Sequence, residues 1–107
     1  MIKFHYHEAT RDVPRLGIER GDRLCHVYSD DSREELEAWG EDHGLRPEWV
    51  HDRTLPHYDA FGDRLRWCGP GVMLGELKRD IRVWRIRRAG ASSARGACPE
   101  SGEGRGQ

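Results

Sequence analysis

Residues 24–36 read Leu24-Cys25-His26-Val27-Tyr28-Ser29-Asp30-Asp31-Ser32-Arg33-Glu34-Glu35-Leu36, and the two halves carry different structural signals. Val, Tyr, Leu and Cys in the first half suit a strand from Arg23 to Tyr28. Ser32-Arg33-Glu34-Glu35 has the capping-box form, a hydroxyl at the N-cap and a carboxylate three residues on, so a helix starts there. Leu36, Trp39, Gly40 and His43 then fall at i, i+3, i+4 and i+7. They give a narrow inward face, acids fill the rest of the helix, and Gly44 supplies a left-handed stop. A strand feeding directly into a capped helix sets the expectation of an α/β fold.

Toward the N-terminus, Ile2-Lys3-Phe4-His5-Tyr6-His7 alternates strictly, with Ile2, Phe4 and Tyr6 on one face and Lys3, His5 and His7 on the other, a strand with one wet face. A loop with Pro14, Gly17 and Gly21 leads from it to Arg23. Toward the C-terminus, Leu45 to Val50, with Pro47 and Trp49, fits a turn, a helical fragment or a short strand equally. Pro56 holds Leu55 extended. His57-Tyr58-Asp59 then opens an expected second helix with Tyr58, Phe61, Leu65 and Cys68 on one face, ended by Gly69-Pro70-Gly71. Val72-Met73-Leu74 fits a short buried strand, and Glu76 to about Arg87 a third helix with Leu77, Ile81 and Trp84 inward. The expected architecture is one small α/β domain over residues 1–88. It has three or four short strands in a partly parallel sheet with about three helices, and right-handed crossovers where parallel strands join through a helix.

From Ala89 the chain reads AGASSARGACPESGEGRGQ, with five glycines, no aromatic residue and no aliphatic larger than Ala. It cannot bury enough surface to offset its ordering entropy, so residues 89–107 are expected to form a disordered tail. No apolar run is long enough to span a membrane or act as a signal peptide. Cys25, Cys68 and Cys98 make an odd count without C-x-x-C spacing, which predicts reduced thiols and a cytoplasmic setting. The net charge is −1, but it is unevenly spread. Asp30 to Asp42 holds seven acids against Arg33 alone, and Glu76 to Arg88 six bases against two acids.

Two polar clusters stand at expected helix starts, where ligands gather in open α/β sheets. One runs from His26 through Ser29 and Asp30. The other is His57-Tyr58-Asp59. Together His26, Ser29, Asp30, His57, Tyr58 and Asp59 make the candidate ligand pocket. His26, Asp30, His57 and Asp59, joined by Glu8, are candidate ligands for a divalent metal, and the first four are candidate catalytic groups, with a histidine handling a proton. His5-Tyr6-His7-Glu8 superficially resembles the H-x-E of zinc deaminases, but no P-C-x-x-C follows it, and Cys98-Pro99 in the tail is no substitute, so that chemistry is rejected.

Cys25-His26-Val27-Tyr28-Ser29-Asp30-Asp31-Ser32, followed by Glu34-Glu35-Leu36, Trp49 and His57-Tyr58-Asp59, resembles the bacterial and phage family called domain of unknown function 4031. Members carry H-x-x-S-D, a helix with E-L near its start, and then H-Y-D. The resemblance runs from about Leu24 to Arg82 and implies no established activity. Members begin with a strand ending in Asp and a shorter loop. Here the strand ends in His7-Glu8, which makes Glu8 the candidate replacement for that Asp.

The same residues have a structural reading. Asp31 and Ser32 are what a helix N-terminus selects, Asp59 could cap the next helix, and His26 could be a hydrogen-bonded core residue. Capping accounts for acids better than for two histidines. Three functions are therefore carried forward: an accessory or regulatory protein with a His/Asp pocket, a metal-dependent hydrolase or nuclease acting on a phosphoester, and a module binding nucleic acid or a protein partner weakly through Lys78, Arg79, Arg82, Arg85 and Arg88. That last surface reads equally as the solvated side of an amphipathic helix. Trp39, Trp49 and Trp84 read as core aromatics, and Trp67, beside Arg66, as the exposed one.

Overall fold

The computed structural model describes residues 1–96, with side chains to residue 90. The alternation at the N-terminus forms β1 (Ile2–Glu8), the strand before the acidic helix forms β2 (Arg23–Ser29), and His57–Phe61 forms β3. They make one sheet in the order β1-β2-β3, with both pairings antiparallel. The register sets Lys3 opposite Tyr28, His5 opposite His26, His26 opposite Asp59 and Tyr28 opposite His57.

Because successive side chains leave opposite faces of a strand, this register sorts the sheet into two chemistries. One face carries Lys3, His5, His7, His26, Tyr28, His57 and Asp59. The other carries Phe4, Tyr6, Cys25, Val27, Tyr58 and Ala60. The apolar face is covered by α1 (Arg33–Asp42), whose Leu36 packs with Cys25, Val27, Leu45, Tyr58 and Ala60 in the buried core. Gly40 lets the helix approach closely, since a Cβ there would lie 2.6 Å from the Tyr58 ring.

The helix start keeps only half of the capping box. Ser32 Oγ accepts from Glu35 N–H at 3.1 Å, as expected. Glu35 does not return to Ser32, however, because Ser29 Oγ already accepts the Ser32 N–H at 3.1 Å and that of Asp31 at 3.0 Å. Glu35 accepts the Ser29 hydroxyl proton instead. At the other end Leu45 N–H reaches back to Gly40 C=O at 2.8 Å while Gly44 takes φ +77°, a left-handed stop as its position predicts.

The polar face is partly roofed by α2 (Leu74–Gly96). Asp80 accepts from Tyr28 Oη at 2.7 Å and from Lys3 Nζ at 2.9 Å, and Glu76 pairs with Lys3 at 2.8 Å. Burial would push the Lys3 ammonium down, but Glu76, Asp80 and Asp30 outweigh it and hold the pKa well above the ordinary value. Leu77 and Ile81 border a cavity of about 110 Å³ against Tyr28, His26 and His57. The result is three layers: helix, sheet, helix.

Several expectations change. The sheet is antiparallel throughout rather than partly parallel. A parallel pairing would need the chain to enter β3 at the end of the sheet where β2 began. Instead α1 runs out about 15 Å over its ten residues, residues 45–56 travel back, and β3 begins opposite Tyr28, where β2 finished. His57–Phe61 is a strand, not the start of a helix. Period 2 buries Tyr58 and Ala60, while period 3.6 would group Tyr58 with Phe61 and Leu65. A five-residue run supports both, and pairing with β2 decides. Only a 3₁₀ stretch, Gly62–Trp67, follows. Val72–Leu74 is not a buried strand: only the preceding Gly71 bridges to Phe4, Val72 N–H bonds to Phe4 C=O at 2.7 Å, Met73 is 80% exposed, and Leu74 already opens α2. The third helix runs on to Gly96, and the rest of the expected tail, residues 97–107 with Cys98, lies outside the described residues.

Candidate metal centre and adjoining cleft

Antiparallel pairing of three strands brings the two polar clusters together on one face. Asp59 is the hub. His26 Nδ1 lies 2.9 Å from Asp59 Oδ1, His57 Nε2 lies 3.5 Å from the same oxygen, and His51 Nε2 lies 3.3 Å from Oδ2. The His7 ring stacks on His26 at 4.1 Å between centroids, and His26 meets His57 edge to face at 4.7 Å. His5, directly opposite His26 in the register, lies 6.0 Å from it between ring centroids. Three histidines thus lie within 3.5 Å of one carboxylate, with the His7 and His5 rings stacked beside His26.

The hydrogen bonds fix which ring nitrogens are free. Leu55 C=O can only accept, so His57 Nδ1 donates to it at 2.8 Å and His57 Nε2 keeps its lone pair, aimed at Asp59. In the neutral ring this lone pair faces an anionic oxygen, an arrangement that calls for a positive charge between them. His7 Nε2 is likewise buried without a partner. A cation between His57 Nε2 and Asp59 satisfies both of these facing atoms. His26, His57 and Asp59 each offer one ligand atom, all within 4.8 Å of one another. Two imidazoles and a carboxylate suit a transition ion such as zinc or iron rather than magnesium or calcium.

The electrostatics keep the donors in their binding forms. Burial pushes the Asp59 carboxyl up, but the bond from His26 and the fields of His57, His26 and His51 outweigh it and hold its pKa below the usual range. Burial lowers His57 against the bond to Leu55, and burial together with His26 lowers His5 and His7. A histidine with a depressed folded pKa binds fewer protons folded than unfolded, so stability falls as pH drops below the ordinary 6.5 toward the depressed values. Asp59 adds the same sign at lower pH, its stabilisation being lost as pH falls through its depressed pKa. The metal-free protein should therefore melt at a lower temperature at pH 5.5 than at pH 7.5. Replacing His5 and His7 by Gln should flatten that dependence in paired melting curves.

Of the candidate residues, His26, His57 and Asp59 converge. Asp30 does not join them: it pairs with Lys3 at 3.2 Å and with the Met1 ammonium at 2.9 Å. Ser29 serves the turn into α1. Tyr58 borders the cleft described below, yet it is 1% exposed and turns its ring against Gly40 on the opposite face. Glu8 is exposed at the end of β1, opposite Arg23, and the preceding His7 faces the cluster instead. His51 has no counterpart among the sequence candidates. Backbone bonds of 2.8 and 2.9 Å with His57 close the 51–57 loop and carry His51 in. Lys78, Arg79, Arg82, Arg85 and Arg88 are all exposed along α2, apart from this centre.

One side of the centre opens into a cleft of about 770 Å³, bordered by His7, His26, His51 and Asp59 at its inner wall. Arg11, Arg15, Arg64 and Trp49 also border it. Trp49, expected in the core, is 45% exposed on the Pro47–Trp49 turn, whereas Trp67 packs against the core. Among the described residues no helix is long and apolar enough to cross a membrane.

A family model described as "Protein of unknown function (DUF4031)" matches residues 12–68. That span includes β2, α1, β3, His26, His51, His57 and Asp59, and leaves out β1 with His5 and His7 and all of α2. No curated protein and no solved structure matches the chain.

Proposed function

The chain belongs to the DUF4031 family of proteins of unknown function, and from that premise we propose that it is a metal-dependent hydrolase of phosphoesters. The observation that carries the reading is the convergence of His26, His57 and Asp59 with a lone pair and a carboxylate oxygen facing each other at 3.5 Å. A transition ion held there supplies a water acidified to near neutral pH and a Lewis acid for a phosphoryl oxygen. His57 would bind through Nε2 of a neutral ring that Leu55 C=O orients, the outer-shell arrangement common to histidine metal ligands, and His26 and the Asp59 carboxylate would supply the other two ligand atoms. His51 is 60% exposed on the outer oxygen of Asp59 and moves a proton at Nε2 for the leaving group. The arginines of the cleft favour an anionic substrate over a neutral one. Free thiols at Cys25 and Cys68 fit a cytoplasmic setting, and the family resemblance points to a bacterial or phage source.

The test is release of nitrophenolate from bis(p-nitrophenyl) phosphate by protein stripped with a chelator and reloaded with zinc, manganese, cobalt or nickel. Turnover should require the metal and fall at least about a hundredfold in His57→Ala. Metal bound without turnover on this or any phosphomonoester would remove the hydrolase reading and leave a metal-binding accessory protein.

A further inference from the structure

We infer that the cleft beside the centre is a nucleotide site, in which a base stacks on Trp49 and a phosphate is held by Arg11, Arg15 and Arg64. The inference deepens the hydrolase reading and rests on it for what happens to the phosphoester, while binding requires only the cleft.

Charge points first to an anion. Three guanidinium groups border the cleft against the acids Glu48 and Asp59. Glu48 has Arg46 at 3.9 Å, and Asp59 is surrounded by His26, His51 and His57. Arg11, Arg15 and Arg64 make no salt bridge among the described residues, as is true of most of the chain's arginines, so what distinguishes them is that they border one cleft. Three guanidinium groups bordering one concavity without carboxylate partners offer a phosphate the geometry of the guanidinium fork.

The aromatic surface gives the second half. Trp49 leaves 45% of itself exposed although the apolar core lies within reach of its turn. Arg64 lies over both Trp49 and Phe61, 5.6 and 5.4 Å from their ring centroids, so the two rings hold its charge in place without a carboxylate. A flat apolar face next to a pre-positioned cation is what a base joined to a phosphate requires. The volume, about 770 Å³, lies in the range of small-ligand sites, roughly 300–1,000 Å³.

The β1–β2 excursion fits the same purpose. Residues 10–21 bury only Ile18, so packing does not explain their length. They are nonetheless tied down: Ala9 N–H bonds to Asp22 C=O at 2.8 Å, Val13 N–H to Ile18 C=O at 2.7 Å, and Arg20 N–H to Asp12 Oδ1 at 2.8 Å. Pro14 and the left-handed Gly17 shape the tip. The loop holds Arg11 and Arg15 over the cleft.

The nucleotide unit could be free or the end of a single strand, and calorimetric titration of the metal-stripped protein separates these. Adenosine 5′-monophosphate should bind at least about tenfold more tightly than adenosine or inorganic phosphate. Trp49→Ala and Arg64→Ala should each weaken it about tenfold, a typical stacking contribution, while Trp49→Phe keeps most of the affinity and shows that the turn still folds. A pentanucleotide that binds more tightly than the monophosphate assigns the site to a strand end, and one that binds no more tightly assigns it to the free nucleotide; both support the inference. Monophosphate binding no tighter than inorganic phosphate, or unchanged by Trp49→Ala, overturns it. Nucleotide binding without metal-dependent turnover defeats the hydrolase reading alone. Turnover of the nitrophenyl ester without nucleotide binding defeats this inference alone.

Discussion

Asp59→Ala should lower transition-metal affinity by more than about a hundredfold, the upper end of what is lost when an outer-shell partner alone is removed. The effect is large because Asp59 fills two positions. Its carboxylate is one of three converging ligand groups, and its Oδ1 also accepts the bond that orients His26. Asp59→Asn separates the roles, since the amide oxygen still accepts from His26 Nδ1 but brings no charge. Asn should therefore keep the fold and the His26 orientation yet bind metal nearly as poorly as Ala. Metal content after exhaustive dialysis, read beside the melting temperature of the stripped protein, makes the comparison. An Asn variant that retains stoichiometric metal would show that the carboxylate only positions His26.

Gly40→Ala should destabilise the protein by about 1–3 kcal/mol, the usual cost of forcing extra volume into a packed core. Its sign is the informative part. Gly to Ala inside an exposed helix normally stabilises by about 1 kcal/mol, and Gly40 lies within α1, in its last turn. Here the new Cβ would meet Tyr58 Cε2 and Oη at 2.6 Å, and Tyr58 is fully packed with Leu36 and Val27 beside it. Tyr58 cannot yield cheaply, so either α1 lifts from the sheet or the ring leaves its place. Urea denaturation of the variant measures the cost. Because Tyr58 faces away from the polar cluster, metal binding by the folded fraction should be unchanged, and a loss of it would place Tyr58 in the site.

The sequence showed the strand faces clearly where the alternation was long. Lys3, His5 and His7 share a side of β1, and the capped helix after Ser32 starts and stops where its signals lie. What it lacked was strand order and direction, because both depend on how far residues 45–56 travel back, and Pro47, Trp49 and Pro56 give no period to read. The same gap hid β3. His57-Tyr58-Asp59-Ala60-Phe61 is too short for period alone to choose between helix and strand, and only the ladder to β2 settles it. Once β3 pairs with β2, His26 and Asp59 become direct neighbours, so the site followed from topology rather than from spacing along the chain.

That topology also explains which residues fell short as candidates. Ser29, Asp30 and Tyr58 sit close in sequence to His26 and Asp59, but alternation turns Tyr58 to the core, the turn into α1 employs Ser29, and Asp30 pairs with Lys3 and the Met1 ammonium. His7 was legible in principle: it shares a face with His5, and any antiparallel partner carrying His26 would bring it near. His51 was not, since only the bridge to His57 places it. Trp49 was misplaced because a tryptophan is more often buried than not, and a Pro-led turn carries no burial signal.

The central claim, that His26, His57 and Asp59 hold a transition ion, is tested most directly by titrating chelator-stripped protein with cobalt(II). The account predicts new visible absorption that saturates at one equivalent. It also predicts an accompanying rise in stability of about 2.7 kcal/mol at a free metal concentration a hundred times Kd, with both signals lost in His57→Ala. A spectrum that stays that of aqueous cobalt, with a melting temperature that does not move, would contradict it.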